Sequence, residues 1–377
     1  MVAADPIVTA SYKHLFQRAI AAAPERLHFA AHSHHLWPDA SYLGQLAAWE
    51  DGVRLADRKW ERVMGAIWPA AQAHVAAELG LPDPATIVFA PNTHELLLRI
   101  ASALPQRPLR ILASDGEFHS FRRQSVRWEE AGSATVERVP LDRIVTAARA
   151  GAHDLIFVSQ VQFGTGQVFE GVAELAELAR PEGPWVVIDG YHGFMALPTD
   201  LSAVADRVFY LAGGYKYAMA GEGCAFLHAP PGFGPRPQIT GWYAEFDDLS
   251  LPPGSVGYAP DARRFLGATF DPSGIYRFVA VRDMLRQEGL STADIAAHAA
   301  ALRDGLLAAL PIEADLLNPG SPARFVALRS PHAARWKAAL EAEDVIVDVR
   351  GDVLRIGFGL YQDMRDLNRL IGALRGL

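Results

Sequence analysis

From residue 86 onward, short apolar runs alternate with stretches of helical period. Residues 86–90, 109–113, 134–139, 154–159, 185–189, 208–211 and 223–228 are strand-length and rich in Val, Ile, Leu and Phe. Runs apolar on both faces suit strands buried between two layers. Residues 96–104, 141–150 and 171–179 space their apolar positions three and four apart, as a helix covering such a sheet does. The rhythm predicts an α/β fold with a doubly wound, mostly parallel sheet. Ahead of it, residues 7–24 read as an arm or helix ending at Pro24, and residues 27–30 as a short strand. Helical spacing then runs from Tyr42 to Leu79, where Leu43, Leu46, Ala47, Trp49, Val53 and Trp60 are expected to be core or subunit-interface contacts. Residues 230–273 are rich in Pro and Gly, as in a loop that crosses to a partner subunit or lies over a site. From 274 the pattern gives helices to about 310, a strand at 324–328, a helix at 332–343, strands at 345–349 and 353–358, and a last helix from 363. This is a smaller α+β domain. The expected division is therefore 1–55 as an arm and loop joining the small domain, 56–273 as the large domain and 274–377 as the small one.

Composition narrows the function classes. The 377 residues carry a formal net charge of −8 with scattered Lys and Arg, which argues against a nucleic-acid surface. No apolar run is long enough to span a bilayer, and the N-terminus has no basic start followed by an apolar block, so a soluble cytoplasmic enzyme is expected. One cysteine, Cys224, rules out an internal disulfide and any multi-cysteine metal site.

The candidate chemistry gathers at the ends of the predicted strands. Residues 185–189 end in Asp189, and 208–211 lead through glycines 213 and 214 to Lys216, where the backbone can turn sharply and approach a ligand. A lysine amine and a carboxylate on neighbouring strands suit pyridoxal 5′-phosphate (PLP), held as a Schiff base while the carboxylate keeps its pyridine nitrogen protonated. Asn92, with Glu95 three residues on, is a capping pattern that opens a helix straight after a strand, leaving free N–H groups for a phosphate or simply capping the helix. His119 follows another strand end and offers a ring that can stack on a flat cofactor, although loop histidines also serve as caps. Gln160, Gln162 and Thr165 leave a strand towards the same edge. Arg355 lies inside a predicted strand and so needs an anion: a substrate carboxylate or an internal salt bridge. His32, His34 and His35 admit a metal site, a polar turn or a loop lining a substrate pocket.

Together these residues resemble fold-type I PLP enzymes of the class V aminotransferase superfamily, and within it kynureninases. Asp189-Gly-Tyr-His192 matches Asp-x-x-His, Tyr215-Lys216-Tyr217 matches Tyr-Lys-Tyr, Asn92-Thr93 matches the phosphate-binding helix start, and Gly241-Trp242 matches a Gly-Trp pair. The resemblance implies a large domain with a mostly parallel seven-stranded sheet flanked by helices. It implies Lys216 as the tether and base, Asp189 on the pyridine nitrogen, and His192 near the ring oxygen. Tyr215 and Trp242 are implied near the phosphate, with His119 on the ring, Gln162 beside it and Thr269 among the cofactor-binding residues. Arg355 is implied on the α-carboxylate, with His32 and His34 at the substrate end and no metal. A homodimer is also implied. The sequence departs from kynureninases at the substrate end. No histidine follows Gly241-Trp242, no asparagine stands at Ala268-Thr269, the chain is short, and the loop at 32–35 replaces a Gly-Asn-Ser-Leu-Gly type segment.

The expected activity is PLP-dependent chemistry on an amino acid, with kynureninase-like hydrolytic Cβ–Cγ cleavage first and transamination as the alternative. Cysteine desulfuration ranks lower because Cys224 lies in an apparent strand, away from any mobile loop. A metal-dependent hydrolase built on His32, His34 and Asp189 is the rival from another class, and a non-enzymatic regulator lacks a DNA-binding segment.

Overall fold

The computed structural model describes residues 10–245 and 254–377. The first residues of the expected arm, and the middle of the Pro/Gly-rich segment, lie outside the described residues.

The large sheet has seven strands: β1 (Ile87–Ala90), β2 (Leu109–Ser114), β3 (Ala134–Val139), β4 (Leu155–Ser159), β5 (Trp185–Asp189), β6 (Val208–Gly213) and β7 (Ala225–His228). Their order is β1-β7-β6-β5-β4-β2-β3, parallel except that β7 runs antiparallel to both neighbours. Every residue of β4 and β6 is buried, as the unbroken apolar runs require. Asp189 ends β5 in register with Ser159 of β4 and Leu211 of β6, so the sheet itself delivers this carboxylate to its carboxyl edge.

Helical spacing over 42–79 corresponds to more than one helix. Asp39–Leu55 ends at Ala56 with φ 50, and a wide π-turn over Val63–Ile67 precedes Trp68–Leu79. The first of these helices packs through Gly44, whose added Cβ would lie 2.7 Å from the Tyr276 carbonyl oxygen, against the helix Ser273–Gln287. Its other face is not core. Leu43, Trp49 and Val53 are each more than 60 % exposed, whereas Trp60 packs on the Tyr243 and Phe270 rings.

The small domain is a four-stranded antiparallel sheet, in the order Asp348–Arg350, Val353–Gly357, Phe325–Arg329, Asp315–Leu316. Leu27–His28 pairs in parallel with Val345–Ile346. The core of the small domain takes in Leu27 and Phe29 and resumes at Ala299, while Ile275, Phe278, Val281 and Leu285 belong to the large core. The large core also takes in Ile295, Phe325, Ala327 and Val353, so the two cores interleave along the chain beyond 274. Among the described residues no helix is long and apolar enough to cross a membrane.

Candidate active site

A cavity of about 660 Å³ opens at the carboxyl edge of the sheet, and Lys216, Asp189, His192, Tyr215, Asn92 and Thr93 all line it. The backbone reaches this geometry through small residues. A Cβ on Gly213 would lie 2.3 Å from the Tyr191 hydroxyl, and Gly223, beyond Lys216, sits at φ +84. Lys216 is buried, with Nζ 2.7 Å from His192 Nε2 and above the rings of Tyr191 at 4.7 Å and Phe118 at 5.5 Å. Burial among these rings drives its amine down to about 7; Asp189 pulls it up, and Arg355 and Arg350 add to the lowering. An amine held there is available as a nucleophile and as a base near neutrality. Asp189 is raised by burial, and this is opposed by the Tyr191 N–H it accepts at 2.9 Å and by the Lys216 charge. His192 is pushed well below its ordinary value, first by burial and then by Lys216, and its Nδ1 has no hydrogen-bond partner.

Asn92 caps the helix Thr93–Ala103, its side-chain oxygen accepting the Glu95 N–H at 2.9 Å. Glu95 does not complete the reciprocal half of the box and instead accepts from Arg99 at 2.8 Å. The first-turn N–H groups of this helix therefore border the cavity at its positive dipole end.

Several of the expected site residues do not line this cavity, Arg355, His32 and His34 among them. His119 is exposed at the start of the helix His119–Glu130, and it is Phe118 that turns its ring into the cavity. Gln162 points away: its Nε2 donates to Ser114 Oγ at 3.0 Å, while its neighbours Val161 and Phe163 line the cavity. Trp242 and Thr269 meet one another, Nε1 donating to Oγ1 at 3.1 Å, on an exposed surface outside this cavity.

The three histidines diverge. His32 is fully buried and stacks on Phe325 at 4.8 Å; exposed His34 stacks on Tyr215 at 4.9 Å; His35 is buried against Tyr361. Arg355 is buried and pairs with Asp348 across the sheet, and it donates to the Phe163 carbonyl. Burial lowers its guanidinium to about 10.

Sequence reading missed several residues. Glu117 is fully buried between strand ends: Ser114 Oγ donates to it at 2.5 Å, as do Ser159 N at 3.0 Å and Ser159 Oγ at 2.5 Å. Burial raises it to about 7 against those hydrogen bonds, with a further push from Asp189. Its signal was a lone acid between a strand end and a helix start. Phe163 and Tyr191 gave no signal beyond proximity to the motifs, and neither did His94, which lines the cavity with Nδ1 unpartnered.

A flat, phosphorylated pyridine aldehyde fits these groups. The buried amine reaches into the cavity, Asp189 supplies an anion at the strand end, Phe118 a ring face, and the Thr93 helix start an anion site. Comparison with known proteins agrees. The model of the family described as aminotransferase class-V matches residues 55–323. The isopenicillin N epimerase of Streptomyces clavuligerus is 30% identical over 346 residues, covering 82% of this chain and 84% of that protein. A probable cysteine desulfurase of Pseudomonas aeruginosa is 27% identical over 356 residues, covering 81% of each. Among solved structures, C-DES with a glycine linked covalently to its PLP cofactor superposes with a TM-score of 0.82 at 18% identity, covering 97% of this chain and 99% of that one. The Escherichia coli cysteine desulfurase CsdA gives 0.78 at 17% identity over 96% of each. These relatives are epimerase and desulfurase rather than the kynureninases that the motifs resemble. The chain belongs to the class V aminotransferase family of fold-type I enzymes, with PLP as its cofactor.

Proposed function

We propose that this enzyme removes the α-proton of an amino acid through Lys216 and cleaves the substrate on its Cβ side without using a protein thiol, with kynureninase-like hydrolysis as the leading case. The carrying observation is the Lys216 amine, buried, lowered to about 7 and bonded to His192 at the cavity floor. Bound PLP supplies an electron sink for the α-carbon. Asp189 would supply the anion for its ring nitrogen, the first turn of Thr93–Ala103 would hold its phosphate, and His192 accepts or returns a proton at Lys216 Nζ. Phe163 and Tyr215 give the cavity an aromatic wall suited to an aromatic or carbonyl-bearing side chain. Cys224, the single cysteine, is buried and raised to about 12, so the chain offers no thiolate to accept sulfur. A second reading, epimerisation at Cα, draws on the isopenicillin N epimerase similarity and on His94 as a second proton carrier.

The exposed apolar stripe of Tyr42, Leu43, Leu46, Trp49 and Val53 supports a homodimer in which this helix meets a second copy. Light scattering that returns an active monomer overturns that part. The reaction is tested by a spectral and product screen of the holoenzyme with amino acids that include kynurenine and 3-hydroxykynurenine. Anthranilate and alanine support hydrolysis. Loss of optical rotation without a mass change supports epimerisation, a keto acid formed only with an amino acceptor means transamination, and alanine from cysteine together with a persulfide on Cys224 overturns the thiol-free reading, which sulfide released with pyruvate by β-elimination would not.

A further inference from the structure

Arg355 does not stand alone. Its strand pairs it in register with Asp348; Nη2 donates to that carboxylate, Nη1 to the Phe163 carbonyl, and Nε has no partner. The other oxygen of Asp348 lies 3.5 Å from Nη1 of the partly exposed Arg350. Behind the pair, His32 Nε2 is 3.7 Å from Asp348 Oδ2, and neither ring nitrogen has a hydrogen-bond partner although the residue is 0 % exposed. A buried imidazole with two empty nitrogens is costly unless another state of the site fills them.

We propose that Asp348 and His32 are positioning residues that act through Arg355: Asp348 holds the guanidinium until a substrate carboxylate takes it, and then turns to His32, which acquires a proton from water as it does. The inference rests on reading Arg355 as the α-carboxylate's partner. Charge favours the exchange. Among the buried groups Arg355 and Asp348 balance with His32 neutral, while Arg350, whose side chain is 45 % exposed, is screened by solvent; an incoming carboxylate adds an anion to the buried set, which a cationic His32 balances. The groups facing His32 are Arg355, Arg350 and Asp348 from the small sheet, Lys216 and His192 from the large domain, and His28 from its own segment. Asp348 is the one anion among them, and while Arg355 holds it the surrounding cations keep the imidazole neutral. Because binding raises the proton affinity of His32, carboxylate affinity must fall as pH rises through the window between the free and bound values of that ring.

Propionate, a carboxylate with no amine to react, serves as the probe, its binding to the holoenzyme read from the cofactor absorbance across about pH 6 to 9. In the unaltered enzyme its Kd should rise by up to about tenfold per pH unit, the slope of one proton. His32→Gln should flatten that slope, and Asp348→Asn should bind propionate several-fold more tightly and without the pH dependence, the opposite of what a merely structural carboxylate predicts. Superimposable slopes in the unaltered enzyme and His32→Gln overturn the exchange, and this decides the matter even if Asp348→Asn does not fold. Arg355→Ala separates the two ideas. Undiminished propionate binding there overturns the parent reading, whereas lost binding combined with identical slopes in the other proteins overturns only the exchange.

Discussion

The floor and the wall of the site are built differently. The floor is made by neighbouring parallel strands: Ser159 and Asp189 are in register at their ends, and Lys216 follows three residues after β6. Its polar groups are fixed by backbone that cannot move without breaking the sheet. The wall is backed by side chains of different segments meeting: Arg355, which donates to the carbonyl of the lining residue Phe163, pairs with Asp348 across an antiparallel ladder, and His32 arrives from the N-terminal loop, none of the three lining the cavity itself. Both contain a buried cation beside a carboxylate, but the floor places its amine where a ligand enters, and the wall neutralises its guanidinium internally. A fixed floor suits covalent chemistry that must keep one geometry; an exchangeable wall suits recognition.

The comparison breaks first if the floor amine is dispensable. Lys216→Ala should lower turnover by roughly 10²- to 10⁴-fold or more, the span of a lost acid–base group, before the lost tether is counted. Borohydride reduction and peptide mapping of the unaltered holoenzyme should find the pyridoxyl group on Lys216, and a label on another lysine refutes the assignment. Circular dichroism of the variant should be unchanged, since the side-chain hydrogen bond removed is the one to His192.

The carboxylate of the floor ranks next. Asp189→Asn keeps the size and can still accept the Tyr191 N–H, so PLP should bind, but an amide cannot hold a neighbouring ring nitrogen protonated. A loss in kcat of roughly 10²- to 10³-fold is expected, as for removal of one preorganised electrostatic partner. Full activity with normal PLP titration would move the electron-sink partner elsewhere.

Glu117 tests whether the floor stores strain of its own. Its folded value near 7 lies above the ordinary 4.5, so between those values the folded protein binds more protons than the unfolded chain, and stability falls as pH rises through that window. The penalty is absent below the lower value and complete above the upper. In the cofactor-free protein, Glu117→Gln should therefore be more stable than the unaltered chain above pH 7 by about 3 kcal/mol, at 1.36 kcal/mol per unit, and the two should converge in acid. Urea unfolding at both ends of the range measures this, and an equal offset at every pH would mean that the gain is packing and not charge.

The same contrast explains what the sequence could disclose. Asp189, His192, Tyr215 and Lys216 were legible because each lies within a few residues of the end of an apolar strand, and a parallel sheet converts that position along the chain into position in space. Phe118 and His119 show the limit: adjacent residues at a helix start point in opposite senses, and only backbone direction decides which ring enters the cavity. For Arg355, a buried cation could be foreseen but its partner could not, since Asp348 becomes its neighbour only through the pairing of two short strands. The histidine loop was least legible, because His32, His34 and His35 each take a different tertiary partner. Of the two expectations for the helical stretch 42–79, core or subunit interface, exposure of Leu43, Trp49 and Val53 removes the first for these three residues, because periodicity marks an apolar face without saying what covers it.

The smallest effect bears on that second chain. Trp242 and Thr269 hydrogen-bond to each other outside the cavity holding Lys216, on a surface where a single-chain site would leave them idle. Within one chain, Thr269→Val removes one exposed hydrogen bond, and the stability change should stay within about 0.5 kcal/mol. If a dimer carries this surface to the partner's cofactor phosphate, the same substitution removes a hydrogen bond to a charged group, worth about 1.5 kcal/mol or roughly tenfold in PLP affinity. The expected outcome is therefore a weaker PLP dissociation constant with an unchanged unfolding midpoint of the cofactor-free protein. Unchanged PLP affinity in a protein that light scattering shows to be a dimer would confine the cofactor site to one chain and leave Trp242 and Thr269 as surface structure.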